Sequence, residues 1–325
     1  MTRRQTTILA LIVLTILLSM VSMAAGRVWT PFSAWTDHSD PRWAIIFELR
    51  LPRTILAIGV GAALGMAGAA MQGYTRNPLA DPGALGVSSM AALGAVLTLY
   101  LGAGAAEPWV IATAAMIGAL IAVMLLLALS GQASSIVTFI LAGVILQTMA
   151  GAGVALALSL APNPWAVNEI INWLMGSLAD RSIGEVQMAL PLIAAGCVML
   201  VFIGRGLDAL TLGETGARSL GVNMTATRWI LAIGVALTAG ASVAVTGVIG
   251  FVGLIVPHLL RPLVGARPGG LLIPSAIGGA VLVLAADIAV RLTPAASEVK
   301  LGVAMAVLGG PFFFVLLLSL RRRIA

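Results

Sequence analysis

The 325 residues are 60% hydrophobic and only 9% charged, with a mean hydropathy of +1.08. Soluble domains carry roughly 25% charged residues, so this chain has too few to cover a water-facing surface, and a soluble enzyme is excluded. The net charge of +6 does not mark a nucleic-acid binder, because the arginines stand between apolar blocks, where they set membrane topology.

Apolar blocks near the roughly 20-residue length that crosses a bilayer fall at about 7–26, 52–73, 84–102, 109–130, 135–159, 186–204, 226–246, 248–260, 270–290 and 301–320. They predict an all-α polytopic membrane protein of about ten spans, forming a single transmembrane domain over 1–325. The first block follows Arg3 and Arg4. It resembles a signal peptide, but with many spans behind it, it reads as a retained helix. The second opens on Arg50-Leu-Pro-Arg53 and carries Gly61, Gly65 and Gly68 at small-residue spacing. Lipid gives helices no hydrophobic reason to associate, so such spacing predicts close backbone approach to a neighbour.

Between the second and third blocks, Asn77-Pro-Leu-Ala-Asp-Pro-Gly83 breaks the helix and fixes a turn. Among polar stretches, 205–228 is the most structured: Leu207, Leu210, Ala217 and Leu220 stand among polar residues, with Gly213, Gly216 and Gly221 as breaks. The pattern predicts two short helices joined by a turn, whose apolar residues dock on a partner. The eighth block, with Gly at 247, 250 and 253 and then Pro257, is too short to cross alone. It predicts a half-helix packed inside the bundle. In the ninth, Asp287 and Arg291 stand four apart, the spacing of a helical ion pair.

With the N-terminus inside, eleven of the eighteen Lys and Arg fall inside (Arg3, Arg4, Arg76, Arg205, Arg218, Arg228, Arg261, Arg267, Arg321, Arg322, Arg323). Seven fall outside (Arg27, Arg42, Arg50, Arg53, Arg181, Arg291, Lys300). The bias predicts both termini in the cytoplasm. Lys300 is the single Lys and is followed by Leu301-Gly302, so the chain has no phosphate-binding loop of the G-x-x-x-x-G-K-[S/T] type. Cys197 is the lone cysteine, and His38 and His258 are far apart; neither a disulfide nor a histidine metal site is expected. An intramembrane enzyme lacks a nucleophile–base set. A secondary transporter would bury ionisable groups at mid-membrane, and only Asp287 comes close.

In order along the chain, Leu51-Pro-Arg53, Gly61-Ala-Ala-Leu-Gly65, Met71-Gln72, Asn77–Gly83, Leu141-Ala-Gly143, Trp173-Leu-Met-Gly-Ser177, Leu212-Gly-Glu214, Ala217-Arg-Ser-Leu-Gly221, Gly250-Phe-Val-Gly-Leu-Ile-Val-Pro-His258, Ala286-Asp287 and Gly309-Gly-Pro-Phe312 resemble the FecCD family. These are permease subunits of type II ABC importers for iron-siderophores, haem and vitamin B12. One departure is Glu298-Val-Lys300-Leu-Gly302, where the family usually has Pro in place of Lys300.

The resemblance implies a non-enzymatic, multi-pass subunit of a bacterial inner membrane, without a resident cofactor. It implies a homodimer that partners two ATP-binding subunits and a periplasmic binding protein, with an iron chelate, haem or ferric siderophore, as cargo and vitamin B12 as the alternative. It further implies ATPase coupling at about 207–221 through Asp208, Leu210, Gly213, Glu214, Ala217, Arg218, Leu220 and Gly221. Asn77 and Leu79 match a cytoplasmic gate. Arg50, Arg53 and Arg291 match rim contacts to the acidic binding protein.

Overall fold

The computed structural model describes residues 2–26, 28–102, 108–130, 136–294 and 298–324; the side chains of Phe32, Pro108, Leu317 and 319–324 are not described. Arg27 and the side chains of Arg321, Arg322 and Arg323, used above to orient the chain, lie outside the described residues. Among the described residues all regular structure is helical.

The apolar blocks become α1 (Arg3–Ala24), α2 (Leu51–Thr75), α3 (Val87–Tyr100), α4 (Pro108–Ser130) and α5 (Ile136–Ser159). A short α6 (Pro164–Leu174) follows, then α7 (Ile183–Phe202), α8 (Gly204–Ala209), α9 (Gly213–Ser219) and α10 (Met224–Thr246, with a π turn at Ala236–Gly240). The chain closes with α11 (Val252–Val264), α12 (Pro268–Leu292) and α13 (Leu301–Ile324). Among the described residues seven helices are long and apolar enough to cross a membrane, and α3, α11 and α13 supply shorter apolar helices.

Helix starts follow from local chemistry. Thr2 and Gln5 form a capping box at α1, and Ser182 with Glu185 does the same at α7. Asn163 and Asn223 cap α6 and α10 through the amides of Ala166 and Ala226. Arg42–Ala44 and a π-helical turn at Ile45–Arg50 lead without a break into α2.

The centre of the bundle is α2 against α12, the most extensive helix pair. A Cβ on Gly61 would fall on the carbonyl of Gly279, and one on Gly279 would fall on that of Gly61. Gly65 meets the Ser275 carbonyl, and Gly68 meets Gly253 of α11. The spacing in α2 therefore does bring backbones together, with dispersion as the associating force. By contrast α1 lies at the edge, with Leu9, Ile16 and Leu17 exposed.

As the sequence indicates, α11 is short. Phe251 enters it with φ 68°. The backbone joining α10 to α11 survives inside the bundle because its groups are satisfied: Ser177 N–H donates to Thr246 O (2.7 Å), Gly247 N–H donates to Val243 O (2.9 Å), and Gly247 O accepts from Thr246 Oγ1 (3.1 Å).

The glycine contact predicts a sharp contrast between two substitutions. Gly61→Leu places a side chain in a backbone and is expected to cost more than the about 1–3 kcal/mol of ordinary overpacking. Gly250→Ala meets nothing within 4 Å and is expected to be tolerated. Recovery of monodisperse protein in detergent, with its unfolding temperature, reads both; equal recovery would refute the contact.

Candidate functional site

Three places carry the residues singled out in the sequence; inner and outer ends follow the charge bias. At the outer end, Arg53 opens α2 and Asp287 and Arg291 close α12. Asp287 is wholly buried and stands between the two guanidiniums. Its Oδ1 accepts from Arg53 Nη2 (2.7 Å), and its Oδ2 pairs with Arg291 Nη2 (2.9 Å). Arg53 also pairs with Glu298 of the segment before α13.

Arg291 donates further to Ser22 O (2.9 Å) and Ser22 Oγ (2.5 Å) of α1, and that hydroxyl meets Thr54 Oγ1 of α2 at 2.7 Å. Arg50 donates to the carbonyls of Met23 (3.0 Å) and Ala24 (2.7 Å), to Thr30 Oγ1 (2.9 Å) and to Val28 O. The three arginines expected on the rim are thus each under 10% exposed, and they tie α1, α2 and α12 together. A cavity of about 170 Å³ beside them is lined by the three arginines together with Glu298 and Asp180.

The loop after α2 begins at Arg76 in the left-handed region (φ 51°). Asn77 is exposed and Leu79 half-buried. The Asn77 side chain accepts from the Leu79 amide (2.9 Å) and its carbonyl accepts from Ala80 (3.1 Å). Asp81 then accepts from Gly83 (2.8 Å), capping a 3-10 turn at Pro82–Leu85. The loop is held by its own side chains, as its turn residues require. One turn earlier Gln72 fixes the end of α2 to α11. Its Nε2 donates to Gly253 O (3.2 Å), and its Oε1 accepts from Arg261 Nη2 (2.9 Å).

The segment 204–221 is the pair of short helices that the sequence indicates, α8 and α9, joined by a 3-10 turn at Leu210–Leu212. Leu207, Leu210 and Ala217 are buried beneath it; Leu212 and Leu220 are 68% and 64% exposed, and Arg218 lies on the same exposed segment. Gly213 (φ 87°) and Gly221 (φ 82°) occupy the left-handed region where a Cβ is strained. After Gly221, the Val222 amide returns to Ala217 O (3.0 Å), closing α9.

Two carboxylates fasten this unit, each to a different helix. Asp208 accepts from the Gly269 amide (2.8 Å) at the start of α12 and from Arg267 Nη2 (3.0 Å). Glu214 accepts from the amide of Ile136 (3.0 Å), the first described residue of α5. Both meet the partially positive end of a helix. Neither bond is readable from spacing, since the partners lie 61 and 78 residues away. Another interior arginine, Arg228, donates to Tyr74 Oη (3.1 Å) and stands 5.9 Å from the Phe139 ring.

Residues 8–319 match the FecCD transport family. The chain is 39% identical to the "Vitamin B12 import system permease protein BtuC" of Vibrio cholerae over 298 residues, covering 91% of this chain and 88% of the relative. It is equally identical to the "Uncharacterized ABC transporter permease protein YvrB" of Bacillus subtilis, covering 90% and 84%. A solved structure described as an inward-facing conformation of a "metal-chelate type ABC transporter" superposes with a TM-score of 0.88 at 30% identity, covering 97% of this chain and 99% of that one.

The bundle with its docked pair of short helices is therefore that of a multi-pass ABC-importer permease. The chain belongs to the FecCD transport family. Such a permease is the non-catalytic membrane component; ATP hydrolysis lies on a partner subunit, and the family works with ATP-binding subunits and substrate-binding proteins.

The outer network gives a stability prediction. Asp287→Asn leaves two buried guanidiniums short of a counter-charge and is expected to cost about 3–5 kcal/mol. Glu298→Gln, at a half-exposed partner, is expected to cost under about 1 kcal/mol. Thermal unfolding in detergent compares them, and an equal drop for both would show that Asp287 is not the centre of the network.

Proposed function

We propose that two copies of this chain form the membrane path of an inner-membrane importer that carries a bulky metal chelate from periplasm to cytoplasm. The observation that carries the mechanism is the double fastening of α8–α9. Leu212 and Leu220 offer apolar contacts to the ATP-binding subunit, with Arg218 beside them. Movement of that subunit is delivered through Asp208 to α12 and through Glu214 to α5. Because α12 is interlocked with α2, the displacement reaches the loop at Asn77 and Leu79, which serves as the inner gate. Gly213 and Gly221 give the segment its turns, and Leu210 and Ala217 root it in the bundle.

At the outer end, Arg50, Arg53 and Arg291 meet the acidic binding protein by exchange rather than as free charges. Glu298 is the more exposed of the two carboxylate partners of Arg53, so an incoming carboxylate takes its place. Rim exchange of this kind governs specificity and association rate more than affinity.

The cargo is either an iron chelate, haem or a ferric siderophore, or the corrinoid vitamin B12. Commonness in the family favours the first. The relatives named for vitamin B12 import, at 35–39% identity, support the second.

Uptake of labelled vitamin B12, haem and a ferric-siderophore panel by cells lacking this gene tests the reading. Loss of one, dependent on ATP, is the expected result. Uptake that survives ATP depletion but collapses with the ion gradient would instead mark a secondary transporter. Within the complex, Leu212→Asp with Leu220→Asp is expected to weaken association with the ATP-binding subunit by about tenfold or more, as burial of a leucine is worth about 1.5–3 kcal/mol. Glu214→Arg is expected to cut uptake without preventing insertion. Normal uptake by both variants would remove α8–α9 from the coupling path.

A further inference from the structure

A cavity of about 360 Å³ at the inner end is separate from the gate and from the exposed leucines. Arginines from three distant parts of the chain converge on it: Arg4 at the start of α1, Arg205 in α8 and Arg267 before α12. All three are exposed. The cavity's one carboxylate, Asp208, is already occupied by the Gly269 amide and Arg267. Among the described residues Arg4 donates to the carbonyl of Gly270 (3.3 Å) and has no acidic partner, and neither has Arg205. Three cations and one engaged carboxylate around a cavity call for an anion.

The surroundings identify what bears that anion. The cavity wall includes Val201, and the next residue, Phe202, is 78% exposed, so the basic cluster stands where the apolar belt of the bundle begins. Farther along α1 and α12, a second groove of about 270 Å³ runs between them and over α2, lined by Ile12, Ile16, Ile58, Ala276 and Ala280. The hydroxyl of Thr15, also in this groove, is turned back to Leu11 O (2.8 Å). Ile12 and Ile16 lie 8 and 12 residues beyond Arg4, roughly 12–18 Å along a helix. With Arg4 at headgroup level, about 5–7 Å outside the roughly 30 Å hydrocarbon core, both side chains fall in the acyl region of one leaflet.

We infer that this is a phospholipid site. The phosphate of an anionic lipid of the inner leaflet sits among Arg4, Arg205 and Arg267, and an acyl chain lies in the groove between α1 and α12. Because Asp208 and Arg267 also join α8 to α12, the bound lipid braces the joint through which the coupling segment acts.

Purified, delipidated full-length protein in detergent is titrated with phosphatidylglycerol, cardiolipin or phosphatidylcholine, with bound lipid read by native mass spectrometry and stability by the unfolding temperature. The two anionic lipids are expected to bind and to raise the unfolding temperature, and phosphatidylcholine is not. The triple variant R4Q/R205Q/R267Q is expected to bind phosphatidylglycerol about 100-fold more weakly, since each basic residue near an anionic surface contributes about one kcal/mol. R4K/R205K/R267K should retain binding, and R42Q, which removes a charge at the outer end, should leave it unchanged.

Arg205 is exposed and has no acidic partner among the described residues, so R205Q alone serves if the triple variant does not fold; it is expected to weaken binding several-fold. Ala276→Phe, which fills the groove, should weaken lipid binding as well. Equal binding of phosphatidylcholine, or undiminished binding by the arginine variants, would overturn the site. Inorganic phosphate stabilising as strongly as phosphatidylglycerol, with no effect of Ala276→Phe, would make it a free-anion site and overturn the lipid assignment.

Discussion

The contact between α2 and α12 is the constraint on which the other features of this bundle depend. In a bilayer the solvent is as apolar as leucine, so two helices gain from meeting only by packing more closely than lipid packs on either. Gly61, Gly65 and Gly279 remove the side chains that would hold the backbones apart. The two helices run antiparallel through the bundle. Each end of one is therefore fixed relative to an end of the other, and whatever is attached at those ends is positioned by the same contact.

At the outer end, that contact brings Arg53 of α2 to Asp287 and Arg291 of α12. A charge buried alone would be costly, and a pair roughly breaks even. The arrangement is bearable because each group has several partners, with α1 contributing Ser22. At the inner end, α12 receives α8 through Asp208, while α2 carries the turn at Asn77 and is pinned to α11 by Gln72. The outer cluster and the inner loop are thus opposite ends of one rigid pair, and alternating access follows if the pair tilts as a body rather than bending.

How much of this could be read from the sequence depended on the range of the interaction concerned. Length and hydropathy placed the spans, because crossing a membrane is a local requirement. The glycine spacing in α2 and the two short helices of 204–219 were legible for the same reason, as was the shortness of α11. The start of α1 was placed late, because the capping box of Thr2 and Gln5 carries the helix out to Arg3. Residues 160–185 fall between two apolar blocks, so hydropathy does not mark α6, although Asn163 caps it and Pro164 opens it. The outer arginines read as rim charges because their partners are remote in sequence: Arg53 reaches Asp287 and Glu298 across 234 and 245 residues. The same limit hid the fastening of Glu214 to α5. Only the Asp287–Arg291 pair, four residues apart, showed itself.

The distance between Arg53 and Asp287 along the chain has a consequence for biosynthesis. The arginine leaves the ribosome 234 residues ahead of its buried counter-charge, an interval of roughly 10–50 s at about 5–20 residues per second. Throughout that time α2 must reside in the bilayer with a cation that has no final partner. Its place at the outer edge of the second apolar block lets the guanidinium stay in the hydrated interface until α12 arrives. Insertion of the ninth apolar block is therefore the event that seals the outer end, and a nascent chain halted before it would remain open there to quality-control proteases.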